Sequence, residues 1–391
     1  LKNHSTHITK AYKKIGEPTM VLKAYKYRIY PNKAQEELIL QHFGACRFVY
    51  NWALETKIKE YQTDKRHISR FELQSILVKE VKPENEWLKQ TNSQSLLASL
   101  INLESAFTRF FREKKGFPKF KSKKNPVQSF QIPQHYVVDF EEGNVKLPKI
   151  GLVKASLSRE FVGVCKTATI SKSTTGKYYI SVLVDDGNEL PSKQKFTDNT
   201  TVGVDVGIKD FAVLSNGEKI ENPKYLKNSL DRLKVLSRRF SKKVKGSNNS
   251  KKAKLKLSRL HEKITNQRND FQHKLSIKLV RENQAIALET LKVCNMVKNH
   301  NLAQAISDAG WGSFVTKLEY KAEWYGKTIL RIGTFEPSSK LCSTCGYHNK
   351  ELTLAVRDWT CPDCKTIHDR DINAATNIKK FALQDQNLIT F

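Results

Sequence analysis

Thr201-Val-Gly-Val-Asp205-Val-Gly-Ile208 is a short apolar run with one acid set in its middle. It reads as a buried strand, where a lone carboxylate costs several kcal/mol unless a cation or hydrogen bonds compensate. Two more short strands follow, at 211–215 and 218–220, joined by tight turns such as Asn216-Gly217. Further on come an apolar strand, Ala285–Leu288, that ends in Glu289, a helix around Gly312–Trp324 and a strand at Thr328–Ile332. A last helix is expected at Ile372–Leu383, just behind Asp369 and Asp371. This order predicts a ribonuclease-H-like α/β sheet with three acids converging on one edge. Singly, each acid has an ordinary reading: Asp205 as a turn former, Glu289 as a strand-end charge, and one of the two aspartates as a helix N-cap.

Converging carboxylates cannot all ionise beside one another without cations. Two Mg²⁺ ions roughly 4 Å apart would neutralise them and grip a phosphodiester. Hydrolysis is the implied reaction, and hard oxygen ligands favour Mg²⁺ or Mn²⁺ over softer metals.

Cys342-Ser-Thr-Cys345 and Cys361-Pro-Asp-Cys364 are separated by 15 residues. Two matched pairs at that spacing predict a tetrahedral site for one Zn²⁺, with Cys342, Cys345, Cys361 and Cys364 filling the shell. The zinc is therefore structural, and the nearby His348 and His368 are expected to be non-ligands. Cys46, Cys165 and Cys294 stand singly in apolar or mixed surroundings and read as small hydrophobes.

The whole chain has 391 residues, with 68 Lys and Arg against 39 Asp and Glu, a net charge of +29. A polyanion is the expected partner. The apolar content excludes wholesale disorder, and no apolar run is long enough to span a bilayer, so a cytoplasmic, nucleic-acid-facing protein is expected. Residues 1–20 read as an N-terminal extension, with Met20 as the candidate start. Residues 21–30 alternate apolar and basic side chains like a strand, and short alternating segments recur from 126 to 198; together these predict a small β-barrel. Helical periodicity runs from Ala34 to about Val78 and again near Ser93–Arg112, which predicts a small helical domain over 31–125. Between Arg109 and Lys124, eight Lys or Arg with one acid interleave with Phe110, Phe111, Phe117 and Phe120, which suits phosphate pairing with base stacking. Residues 231–281 carry 17 Lys or Arg and three acids in two helical segments, a basic hairpin that would repel itself without an anion. Arg28, Tyr30, Lys119, Lys121, Arg238, Arg239, Lys242, Lys243 and Arg268 are the candidate nucleic-acid contacts.

The runs Pro337–Gly346, Leu352–Cys364 and His368-Asp-Arg-Asp371-Ile-Asn-Ala-Ala-Thr-Asn-Ile378 resemble the TnpB family, insertion-sequence proteins similar to compact type V CRISPR nucleases. Tyr27–Pro31, Gly116–Lys121, Gly203–Gly207 and Asn266–Phe271 extend the resemblance over residues 21–384. It implies an RNA-guided DNA endonuclease with one RuvC-type site at Asp205, Glu289 and Asp371, the last preferred to Asp369 because it stands directly before Ile-Asn-Ala-Ala. It further implies a wedge domain at 21–30 and 126–198, a recognition domain at 31–125, a nuclease domain at 199–336 and 369–391, and a zinc domain at 337–368. The implied partners are a guide RNA from the element itself and double-stranded target DNA, bound by a monomer. One departure is Lys365, where glycine is frequent. A guide-dependent regulator without cleavage, a transposase performing strand transfer, and a zinc-stapled RNA-binding protein without catalysis are the rival readings.

Overall fold

The computed structural model describes residues 20–334, 336–353 and 356–387. The expected extension before Met20 lies outside them. The chain divides into two compact units, one up to Glu189 and one from Leu190.

In the first unit, β1 (Met20–Tyr30) pairs antiparallel with both β5 (Gly151–Ser156) and β7 (Tyr178–Glu189). The remaining strands are β2 (Gln128–Ile132), β3 (Val137–Asp139), β4 (Asn144–Leu147) and β6 (Val164–Lys172), and the sheet runs β2-β6-β7-β1-β5-β4-β3. The sequence predicts a small barrel, and here the structure corrects it: β2 and β3 are edges, and among the described residues no pairing between them closes the sheet. The alternation arises instead because helices cover one face. Pro31 ends β1, and Asn32 with Gln35 forms a capping box that starts the helix Lys33–Asp64. Phe43 and Val49 of that helix, and Leu96 and Leu100 of the helix Ser93–Glu113, share one core with Phe130, Ile132 and Ile170 of the sheet.

The second unit is built on β8 (Thr201–Val206), β9 (Asp210–Leu214), β10 (Lys219–Glu221), β11 (Ala285–Glu289) and β12 (Thr328–Ile332), in the order β10-β9-β8-β11-β12. β8, β11 and β12 are parallel, and β9 runs against its neighbours. The strands and helices of this α/β unit follow one another along the chain in the order read from the sequence. Its two faces differ in side-chain size. Val202, Val204, Ile286 and Leu288 pack on one face against Leu275, Leu279, Phe314 and Leu318 from the helices Asn248–Glu282 and Trp311–Trp324. The other face presents Gly203, Ala285 and Ala287 to the last helix, Arg370–Gln384, whose Ile378 and Ala382 meet the two alanines. The helices Leu230–Ser241 and Asn248–Glu282 pack around Leu233, Leu260 and Ile264. Among the described residues no helix is long and apolar enough to cross a membrane.

Gly203 sets how closely the last helix approaches β8. A Cβ there would lie 2.0 Å from the Ala375 carbonyl oxygen and 2.9 Å from the Lys379 backbone nitrogen. Neither backbone atom has a flexible side chain's freedom to move aside. G203A should therefore destabilise the chain by about 1–3 kcal/mol or more, read as a lower midpoint in urea unfolding.

Candidate active site and metal centre

Parallel register pairs Val204 of β8 with Leu288 of β11, so Asp205 and Glu289 come next on neighbouring strands, which lie about 4.8 Å apart. Both follow the small residues Gly203 and Ala287 by two positions, and so both belong to the face under the last helix. Asp371 stands one turn before Ala375, about 6 Å of helix. Asp205 stands two residues past Gly203, about 6.6 Å of strand. With Ala375 crossing at Gly203, that equal travel carries Asp371 toward Asp205.

Electrostatics agrees with this placement. Burial pushes the Asp205 carboxyl well above the usual carboxylate range, and the charges of Glu289 and then Asp371 push it further, against Arg370 and Arg357. The three acids thus share one neighbourhood, although among the described residues their oxygens do not gather within 4.8 Å of one another, as the cysteine sulfurs do. Two of them are engaged separately. Ser338 Oγ donates to Glu289 Oε1 at 2.6 Å. Arg357 Nη1 donates to both Asp371 oxygens, at 2.8 and 3.0 Å, and Arg370 Nη2 to Oδ1 at 3.1 Å. Asp369 does different work: its Oδ1 caps the last helix, accepting from the backbone N–H groups of Asp371 and Ile372 at 3.0 Å each, and its Oδ2 pairs with Lys219.

Cys342, Cys345, Cys361 and Cys364 bring their sulfurs within 4.8 Å of one another, with two Sγ···Sγ separations of 3.6 Å. Zn–S bonds of about 2.3 Å in a tetrahedron require sulfurs about 3.8 Å apart. The donor set therefore fits one Zn²⁺. Hydrogen bonding with the Thr366 hydroxyl and backbone draws the Cys364 thiol down to about 6, while, against a backbone hydrogen bond at Tyr347, burial and the neighbouring sulfurs push Cys345 up to about 12, as crowded thiols do without a cation. His368 is not one of the four; its Nε2 lies 3.0 Å from Cys342 Sγ, where it supports that ligand from outside the shell. Each knuckle closes alike: Gly346 N–H donates to the Cys342 carbonyl at 3.0 Å, and Lys365 N–H to the Cys361 carbonyl at 3.1 Å. Both donors are left-handed, with φ of 79° at Gly346 and 62° at Lys365. That conformation costs a residue with a Cβ about 1–2 kcal/mol, which explains why glycine suits the Lys365 position.

The last helix ties the cysteine module to the acids. Asn373 accepts from Ser343 N–H at 2.8 Å and donates to the Leu341 carbonyl at 2.7 Å. Asn377 donates to the carbonyls of Ser338 at 2.8 Å and Leu341 at 2.6 Å. These amides hold the loop that delivers Ser338 to Glu289. The sequence reading missed Ser338, Arg357, Arg370, Asn373 and Asn377. The last two stand four apart on one helix face, but Arg370 and Lys380 lie on that face too, so the sequence does not set the amides apart.

Family models match three stretches of the chain: residues 179–300 match OrfB, described as "Probable transposase", 311–378 match "Cas12f1-like, TNB domain", and 20–66 match "Helix-turn-helix domain". A Streptomyces pristinaespiralis protein named "Putative RNA-guided DNA endonuclease" is 39% identical over 92% of this chain and 89% of its own. An Escherichia coli K12 protein, "Putative RNA-guided DNA endonuclease InsQ", is 34% identical over 91% of each chain. The chain belongs to this OrfB, or TnpB, family. Among solved structures, a "Cas12f1-sgRNA-target DNA complex" is similar at 13% identity and a TM-score of 0.49, over 92% of this chain and 99% of that one. The stretch of this family member matched as helix-turn-helix holds a strand and one 32-residue helix.

The candidate nucleic-acid contacts are dispersed through both units. The Arg28 guanidinium lies 5.3 Å from the rings of Tyr30 and Tyr179, and its buried Nη1 has no hydrogen-bond partner among the described residues. Tyr30 and Lys119 are exposed, and the Lys121 ammonium sits 4.0 Å over the Tyr50 ring. Arg238, Arg239, Lys242 and Lys243 are exposed on the hairpin. Arg268 instead donates to the Ser307 and Asp308 carbonyls at 2.7 and 3.3 Å, at the end of the helix His300–Ala309.

The raised Asp205 carboxyl has a sign that stability measurements can read. Folding binds a proton more tightly at this group than the unfolded chain does. Its stabilising contribution is thus complete below the ordinary carboxylate range and is lost as pH rises through the folded value. With zinc present and no other divalent ion, D205N should gain on the parent chain as pH rises from 5 to 8, by at least about 1.4 kcal/mol, the worth of one pKa unit, in urea unfolding at each pH.

Proposed function

We propose that this chain is an RNA-guided DNA endonuclease that cuts target DNA at a single RuvC-type site formed by Asp205, Glu289 and Asp371. The observation that carries the proposal is that the buried Asp205 carboxyl of β8 feels the charges of Glu289 at the end of β11 and Asp371 in the last helix. Asp371 is paired with Arg357 and Arg370, but the buried Asp205 carboxyl stands beside the charge of Glu289 as well, an arrangement that divalent cations would relieve. All three offer hard oxygen donors, the set that Mg²⁺ or Mn²⁺ prefers. Such ions, when bound, would supply Lewis acidity and a water deprotonated near neutral pH for hydrolysis of the phosphodiester.

The chain's own residues set the conditions for that chemistry. Asp205 gives up its proton before it can ligate, so loading of the site is favoured as pH rises. Ser338 orients the Glu289 carboxylate, while Arg357 and Arg370 hold Asp371. The four thiolates complete the shell of one Zn²⁺, which leaves it without an open position and assigns it a structural role. A guide RNA from the element and double-stranded target DNA are the partners, with the chain acting as a monomer in a prokaryotic cytoplasm. Sequence choice is delegated to base pairing, and the basic surfaces hold backbone.

The test uses full-length protein purified with RNA transcribed across the 3′ end of its own gene, then supplied with Mg²⁺ and a plasmid library carrying randomised flanks. Guide-directed double-strand breaks are expected. D205A should slow them by more than about a thousandfold, and D369N, whose side-chain oxygen still caps the helix, should leave them in place. Guided binding without any break would instead establish the regulator, and joined strands rather than free ends the transposase.

A further inference from the structure

We propose that an aromatic pocket in the first unit, remote in sequence from the acids and the cysteines, takes one unpaired base of an RNA. This inference rests on the RNA-guided reading and adds to it a site for the guide. The pocket measures about 400 Å³ and is walled by Tyr61, His67, Phe107, Phe110, Phe111 and Phe117. That volume falls in the range of small-ligand sites, about 300–1,000 Å³.

Its construction follows from the sequence. The helices Lys33–Asp64 and Ser93–Glu113 bring Tyr61 and the three phenylalanines of the second helix together near their C-terminal ends. Gly116-Phe117-Pro118 then turns the chain so that Phe117 meets Phe107 and Phe110 edge-on, at 5.6 and 5.3 Å. Phe107 and Phe111 lie nearly parallel, 20° apart with centroids at 6.2 Å. These rings do not close into a core: Phe111 is 63% exposed, Tyr61 50% and Phe117 46%. Large apolar side chains left open together mark a binding surface.

Charge identifies the ligand class. Lys57 sits 5.6 Å from the Phe107 centroid and Lys65 5.2 Å from that of Tyr61. Arg66 lines the pocket with them, itself paired to Glu60 and Glu72. Arg109, Arg112, Lys114 and Lys115 are exposed where the second helix ends. Aromatic faces ringed by cations match a nucleotide, whose base stacks while its phosphates pair outside. RNA is favoured over paired target DNA because its loops and bulges splay out single bases, and the DNA strand that guide pairing would displace is the occupant the test below separates from it.

The test measures binding of the guide RNA to the full chain carrying F111A or F111W, a position exposed enough to change without unfolding, with the melting temperature of each recorded. F111A should weaken guide binding by about fivefold or more, F111W should restore it, and the salt dependence should stay as in the parent because no phosphate contact is removed. Ultraviolet crosslinking of the unaltered complex should join one RNA nucleotide to Tyr61, Phe111 or Phe117. Unchanged affinity in F111A, crosslinks confined to other segments, or a loss seen only with single-stranded DNA would each overturn the pocket's assignment. A parent chain that binds no guide RNA at all would overturn the RNA-guided reading itself.

Discussion

The close seating of the last helix on Gly203 is the constraint from which the rest of the second unit follows. Because β8 lacks a side chain there, the backbone at Ala375 comes within reach of the strand, and β11 matches it with Ala285 and Ala287. A larger residue would lift the helix and withdraw Asp371 from Asp205. Small residues on this face and bulky ones on the other are what let a single parallel core place charge at one end and dry packing everywhere else.

The cysteine module depends on the same helix. Among the described residues its buried apolar cluster is slight, Leu352 and Trp359 beside the sulfurs, little to hold a fold of that length without a metal. It is docked through Asn373 and Asn377, buried amides whose Nδ2 groups donate to carbonyls of the knuckle's leading loop. Ser338 on Glu289 and Arg357 on Asp371 then make the module a neighbour of the acids in energy as well as in position. Order in the zinc site and alignment of the carboxylates are thereby one problem, solved by one helix face.

Much of this was legible in the sequence, and the reasons are local. The strand carrying Asp205, the strand ending in Glu289, the paired cysteines and the basic hairpin each announce themselves through periodicity or spacing within a few residues. The choice of Asp371 over Asp369 came from resemblance; in the structure Asp369 caps the last helix, while the charge of Asp371 acts on Asp205. Nothing local signals that Ser338 and Arg357 reach the acids, because those contacts depend on how a metal-stapled loop docks. The barrel failed for a related reason. Alternating strands record that one face is buried, and they do so equally whether a sheet closes on itself or lies under helices such as Lys33–Asp64.

Anomalous scattering from crystals of the zinc-loaded protein soaked in Mn²⁺ addresses the convergence of the acids most directly. One or two manganese peaks bridging Asp205 to both Glu289 and Asp371, with Arg357 moved off Asp371, are expected. Manganese bound to one of these residues alone, or found only on surface acids elsewhere, would contradict a shared site and with it the nuclease chemistry.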